Sequence, residues 1–142
     1  MLLLSFIKKR GGMAAGSILC AALLLLSFRS PVSPSTDEVM ADFHKAENRC
    51  EATLQDPLIL HADLVRARVI EDIKDPTMDK RRYAIGFLGN DGAREALPTL
   101  RAILEDESEK DYFRSDALQS IFQIDNREGR ELASVYAGMD AI

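Results

Sequence analysis

Residues 81–105 read RRYAIGFLGNDGAREALPTLRAILE, and this stretch decides the fold. Apolar residues recur at positions 83, 84, 87 and 88 and again at 93, 96, 97, 100, 103 and 104, which is the spacing of one helix face. Between the two runs, Gly89 stands where the end of a helix favours positive φ, and polar turn residues follow it. The stretch therefore predicts two antiparallel helices joined by a tight turn.

A second copy of the pattern begins 33 residues later. The matching residues are Arg81, Ala84 and Leu88 in the first copy and Arg114, Ala117 and Ile121 in the second. A period of this length is typical of helical solenoids, in which each hairpin buries its apolar face against a copy of itself. We therefore predict an all-α fold, a short α-solenoid of about three antiparallel helical hairpins.

The pattern Arg-x-x-Ala-x-x-x-Leu-Gly, followed by a polar turn and a second helix, resembles the HEAT-like repeats of the phycobilisome-lyase type. The resemblance covers residues 77–137 and implies an α-solenoid that serves as a binding or scaffolding surface, sometimes inside larger enzymes. It also implies that the repeat arginines, Arg81 and Arg114, pair with acidic residues of neighbouring turns. The second copy departs from the pattern at Phe122, which replaces the glycine, so we expect its helix to continue to about Ile124.

The chain begins with a segment typical of export. Residues 1–35 contain four basic residues and no acidic one, and the sixteen residues from 13 to 28 carry no charge. A basic region followed by an apolar region is the order of a signal sequence. The run is shorter than the roughly 20 residues of a bilayer span but long for a cleavable signal. Residues 1–28 are thus a signal peptide or a signal anchor, and prolines at the cleavage sites favour the anchor.

The basic residues before the apolar run outnumber Arg29 after it. By the positive-inside rule this places the N-terminus in the cytoplasm and the following domain outside, which is the periplasm in a bacterium. A start at Met13 instead of Met1 would remove those charges, and the sequence leaves that alternative open. Residues 29–35 are interpreted as a Pro/Ser linker, and residues 36–142 as the helical repeat domain.

The domain after the linker is acidic. All 23 acidic residues but only 14 of the 18 basic residues lie after residue 35, which gives that part a net charge of −9. A broad basic surface for phosphate groups is therefore not expected, and nucleic acid is not a predicted partner.

The remaining helices follow from apolar spacing and from capping residues. Thr36 is the candidate N-cap of a first helix that ends near Asp56, and Pro57 suits the first turn of the next helix. The inward stripes are expected at Val39, Phe43, Ala46, Cys50 and Leu54 and at Leu60, Leu64, Ala67 and Ile70. Thr77 is the candidate cap of the helix containing Arg81, and the last pair is expected at about 111–124 and 127–136. Pro98 requires the second helix of the middle pair to start late or to kink.

No catalytic, metal or cofactor site is predicted from the residue types. Cys50 is the one cysteine after the apolar segment and is expected to be buried and inert. His44 and His61 are the only histidines and do not stand at zinc-site spacings. The glycines match no phosphate-binding fingerprint, and the His-Glu pairs of the di-iron HEAT hydroxylases are absent.

The predicted function is therefore non-enzymatic protein binding or scaffolding. In HEAT-like solenoids the second helices usually line the concave side, and arginine and tyrosine are enriched where partners bind. The candidate partner surface, called the arginine strip below, consists of Arg66, Arg94, Arg101, Arg127, Arg130 and Tyr136. The alternative is that these arginines pair with acidic residues of their own helices, namely Glu71, Glu95, Glu105 and Glu131.

Two other functions stay open from the sequence. One is an accessory enzyme or cofactor-holding protein, by resemblance to bilin lyases. The other is a structural repeat domain that associates with itself, because three hairpins are few for a solenoid.

Overall fold

The computed structural model describes residues 33–46 and 53–137, and these ranges are helical without any strand. The helices are α1 (Thr36–Lys45), α2 (Asp56–Leu60), α3 (Ala62–Asp72), α4 (Arg81–Asn90), α5 (Leu97–Glu105), α6 (Asp111–Ile124) and α7 (Asn126–Ala137), with a 3-10 helix at Arg94–Ala96. The all-α prediction is confirmed. The predicted export segment lies outside the described residues. Within the described ranges no helix is both long and apolar enough to cross a membrane.

Helix α1 begins with a capping box on Ser35, so the prediction of Thr36 as the N-cap is wrong. The Ser35 hydroxyl accepts a hydrogen bond from the Glu38 N–H at 3.2 Å, and the Glu38 carboxylate accepts one from the Ser35 N–H at 2.7 Å. The capping box satisfies two amides that the helix leaves free. The Ser35 N–H and hydroxyl both donate to the Glu38 carboxylate, and these bonds lower the pKa of Glu38. The helix ends at Lys45, well before the predicted end near Asp56, and Cys50 lies outside the described residues.

The C-terminal end of α1 is held by Lys80, which lies far away in the chain. The Lys80 ammonium donates to the carbonyl oxygens of Phe43, His44 and Ala46 at 2.9, 2.8 and 2.5 Å. Lys80 is itself the N-cap of α4 and has a positive φ of 56°. One side chain thus joins the end of α1 to the start of α4.

The second predicted helix is divided at His61, whose φ of −130° and ψ of 32° are not helical. Pro57 lies in the first turn of α2, as predicted. The predicted inward stripe is wrong at Leu60, Leu64 and Ala67, and only Ile70 packs against the core. Leu60 and Leu64 are 76% and 43% exposed, and Ala67 is exposed as well. The buried residues are Leu58, Val65, Val69 and Ile73. These buried residues stand seven, four and four positions apart, which is helical spacing, so α2 and α3 bury one common face and it is not the face that was predicted.

Helix α4 packs against α6, and α6 also contacts α5 and α7. Side-chain hydrogen bonds join α4 to α6, and they pair Arg82 with Asp116, Ile85 with Ser120 and Asn90 with Gln123. The residue numbers rise together in these pairs, so the two helices run in the same direction. The paired residues are 33 to 35 positions apart, which matches the period of the sequence repeat.

Gly89 permits a close contact between α4 and α6. The prediction that Gly89 adopts positive φ is wrong, because it lies inside α4 and the positive φ of this turn belongs to Gly92, at 69°. A Cβ atom on Gly89 would lie 2.8 Å from the Cα of Ser120. The Ser120 hydroxyl donates to the Ile85 carbonyl at 3.0 Å in the same contact. Gly89 is therefore required by packing and not by the turn.

The C-terminal half follows the predicted boundaries closely. Helix α5 starts late, with Pro98 in its first turn, which is one of the two predicted outcomes. Helix α6 continues through Phe122 to Ile124, as expected from the missing glycine. The close approach is made instead by Gly129 of α7, whose Cα faces the backbone of Phe122.

Two arginines tie the first turns of α4 and α6 to the preceding helix. Arg81 is 2% exposed, donates to the Ile73 carbonyl at 2.7 Å and forms an ion pair with Glu109 of the loop before α6. Arg114 donates to the Leu104 carbonyl at 3.0 Å. Arg81 thus pairs with an acidic residue of a neighbouring loop.

The loops before α4 and α6 share one hydrogen-bonding pattern. The N–H and hydroxyl groups of Thr77 donate to Asp75 at 2.8 and 2.7 Å, and those of Ser108 donate to Asp106 at 2.8 and 2.6 Å. Thr77 therefore does not cap α4, and that prediction is wrong. These hydrogen bonds lower the pKa of both aspartates below the ordinary value of 3.8.

Replacing Asp75 and Asp106 together by asparagine is expected to reduce the loss of stability in acid. A lowered pKa in the folded state stabilises the fold above pH 3.8, and this stabilisation disappears as the pH falls through the lowered pKa. Asparagine keeps an acceptor but does not titrate. The measurement is the thermal midpoint between pH 7 and 2. A matched control changes two other exposed loop acids, Asp79→Asn with Glu107→Gln, and equal acid slopes in the two variants would contradict the assignment.

Candidate functional site

The arginine strip joins successive hairpins through ion pairs. Arg66 donates to Asp91 at 2.5 Å, and this hydrogen bond raises the pKa of Arg66. Arg101 donates to Glu128, and the bond lowers the pKa of that carboxyl group. Asp91 and Glu128 lie 25 and 27 residues further along the chain, whereas the alternative interpretation had placed the acidic partners on the same helix. Arg66 also donates to Asp63 of its own helix at 3.1 Å. Arg66 and Arg101 thus tie neighbouring helical pairs together, whereas Arg127 pairs with Glu131 of its own helix, as the alternative interpretation expected.

The other members of the strip lie further into solvent or closer to the core. The Arg94 guanidinium is 73% exposed and 3.8 Å from Asp125, and Arg127 is 89% exposed and 3.9 Å from Glu131 of its own helix. Arg130 donates to Asn126. Tyr136 is partly buried against the core, with the Arg114 guanidinium 5.7 Å from its ring centroid. Partner binding by this surface stays a prediction.

A polar groove of about 240 Å³ lies between α4 and α6. We call it the α4–α6 groove. Its polar lining includes four amide side chains and one ion pair, contributed by Gln55, Asn90, Gln119, Gln123, Arg82 and Asp116. No residue pattern of the sequence predicted this groove.

Three of these amides form a hydrogen-bonded row, called the amide ladder below. Gln123 Nε2 donates to Asn90 Oδ1 at 3.1 Å, and Asn90 Nδ2 donates to Gln55 Oε1 at 3.1 Å. The partners are 33 and 35 residues apart, so each amide comes from a different helical pair. The period of the repeat was the one signal in the sequence that could have brought these three residues together.

Gly86 lies at the floor of the groove, and the ion pair of Arg82 with Asp116 lies at its rim. Gly86 lines the groove and has no side chain to fill it; a Cβ atom there would lie 2.9 Å from Gln55 Nε2. At the rim, Arg82 Nε donates to Asp116 at 2.8 Å. The opposite charges of this pair cancel, so the groove combines uncharged amides with a neutral rim.

Comparison with protein-family models, with curated proteins and with solved structures gives no match for this chain. Among the described residues, no group of three or more His, Cys, Asp or Glu side chains is placed to hold a metal ion. Every buried side-chain nitrogen or oxygen in the same ranges has a hydrogen-bond partner. The α4–α6 groove and the arginine strip are the candidate binding surfaces of the described residues.

Proposed function

We propose that this protein is a non-enzymatic protein-binding or scaffold module, exported or held at a membrane by its N-terminal segment. In this proposal the helical part is a short stack of three hairpins. The same-direction packing of α4 and α6 at the repeat spacing supports the stack. The related loops at Asp75 and Asp106 support it as well.

The α4–α6 groove is the observation that carries the proposal. Its two walls are held together by the Ser120 hydrogen bond to Ile85 and by the close contact at Gly89, so the groove exists before any partner binds. A preformed groove loses less conformational entropy on binding than a surface that must first become ordered. Its amides can also exchange water for partner groups, because Asn90 and Gln123 are exposed.

The arginine strip is the second candidate surface. A partner that binds Arg66 or Arg101 must compete with Asp91 or Glu128, which already accept hydrogen bonds from these side chains. Binding to charged groups weakens with salt, because counter-ions screen exposed charges over about 8 Å at physiological ionic strength. Binding in the neutral groove is expected to depend little on salt.

The test is a comparison of partners captured by the full-length chain, recovered from the membrane fraction in mild detergent. We expect Gln119→Ala with Gln123→Ala to lose the partners of the wild-type protein at both low and high salt. The control variant, Arg94→Glu with Arg101→Glu and Arg130→Glu, is expected to retain them. Identical partner profiles for the wild-type protein and the groove variant would overturn the proposal for this surface.

A further inference from the structure

We propose that the α4–α6 groove binds an extended segment of its partner through the main chain of that segment. This inference rests on the proposed function, because it names the class of partner that the groove receives. It concerns the amide ladder, Gln119 beside it and the glycine floor.

The amides of the groove retain hydrogen-bonding capacity. A side-chain amide has two N–H donors and a carbonyl oxygen with two lone pairs. Asn90 uses one donor and one lone pair within the amide ladder, which leaves one of each for another molecule. The Gln119 side chain makes no hydrogen bond to any other described residue. A peptide group offers one N–H and one carbonyl, the complement of what these amides present.

The shape of the groove favours an extended chain over a helix. Helices α4 and α6 approach so closely that a Cβ atom on Gly89 would lie 2.8 Å from Ser120 Cα. An α-helix is about 10–12 Å wide with its side chains and uses its own main-chain N–H and carbonyl groups internally, so an extended segment is the form that can present these groups to the amides of the groove. The volume of about 240 Å³ is also less than the roughly 300–1,000 Å³ typical of pockets for small organic ligands. Gly86 leaves room for a backbone to approach the floor.

The neutral charge of the groove favours main-chain recognition over recognition of charged side chains. The amides of the ladder carry no charge, and the Arg82 guanidinium is matched by Asp116. Nothing in the lining selects an acidic or a basic partner, whereas peptide groups are present in any sequence. We therefore expect an affinity that changes less than about twofold between 50 and 500 mM salt.

The experiment follows the side-chain amide resonances of the full-length protein in detergent micelles by NMR. The probe is a blocked, uncharged heptapeptide of threonine, serine and valine, compared with the same peptide carrying N-methyl groups on alternate peptide nitrogens. We expect the first peptide to shift the resonances of Asn90, Gln119 and Gln123, and the methylated peptide to bind at least fivefold more weakly. A loss of about fivefold corresponds to one hydrogen bond of about 1 kcal/mol.

Two variants separate this inference from the proposed function. Gln119→Ala is expected to weaken the peptide by about fivefold, and Ser134→Ala, whose hydroxyl donates to its own helix in α7, is expected to leave the affinity unchanged. Equal binding of the two peptides would overturn main-chain recognition. The same conclusion would follow if the groove amide resonances did not shift at a peptide concentration 10-fold above the roughly millimolar Kd of a weak complex. Protein binding by the groove is tested separately by the capture experiment with the variant Gln119→Ala and Gln123→Ala. It stands if that variant loses the captured partners, and it falls if the captured partners are unchanged.

Discussion

Replacing Arg81 by methionine is expected to lower the free energy of unfolding by about 3–5 kcal/mol. The substitution keeps an apolar side chain of similar length but removes the guanidinium that binds the Ile73 carbonyl and Glu109. The Glu109 side chain is only 9% exposed, so it would remain as a largely buried carboxylate without its partner. Urea denaturation followed by circular dichroism measures the change.

The neighbouring arginine provides a matched control. Arg82 lies one residue later, is 63% exposed and binds Asp116 at 2.8 Å, so Arg82→Met is expected to cost less than about 1 kcal/mol. The double variant Arg81→Met with Glu109→Leu is expected to recover part of the loss, because no charge is then buried alone. Similar losses of unfolding free energy for Arg81→Met and Arg82→Met would show that the buried ion pair of Arg81 does not stabilise the fold more than an exposed pair.

The substitution Gly89→Ala is expected to destabilise the domain by up to about 2 kcal/mol. A Cβ atom at this position would lie 2.8 Å from the backbone of Ser120, and forcing such a contact in a packed interior costs about 1–3 kcal/mol. The gain in helix propensity from alanine, about 1 kcal/mol, offsets only part of this cost. Denaturant midpoints compared with those of the wild-type protein give the difference.

Gly86→Ala is the control in the same helix. The atom nearest to its new Cβ would be Gln55 Nε2, the end of a flexible side chain, at 2.9 Å. The gain in helix propensity is the same, so we expect Gly86→Ala to leave stability unchanged or to raise it by up to about 1 kcal/mol. If the two alanine variants had equal stability, the close contact of α4 with α6 at Gly89 would be wrong.

The helices from α4 onward could be predicted because their signals are local. Apolar residues at helical spacing define the buried faces. Gly92 lies in a turn at positive φ, and Pro98 lies in the first turn of α5, where its missing N–H costs no hydrogen bond. The earlier helices could not be predicted as well. The apolar residues around His61 fit two different stripes, and only packing determined that Leu58 and Val65 are buried while Leu60 and Leu64 are exposed.

The candidate site shows a similar division. The sequence predicted Arg66 and Arg101 as surface residues, but Asp91 and Glu128, which bind them, lie 25 and 27 residues further along the chain. Helix-surface rules do not cover such a separation. The amide ladder was missed for the same reason. Glutamine and asparagine in turns and on exposed faces are ordinary residues until the fold brings three of them into one row.

The sequence by itself determined the all-α class, the 33-residue period and the boundaries of the C-terminal helices, because helical spacing and turn residues act over only a few positions. The tertiary structure alone decided which residues of the repeat have which role. Gly89, expected to serve its own turn, serves the contact with Ser120, and Arg81 is buried with Glu109. These contacts join residues about one repeat apart, so their energies depend on how the helices stack and not on the local pattern.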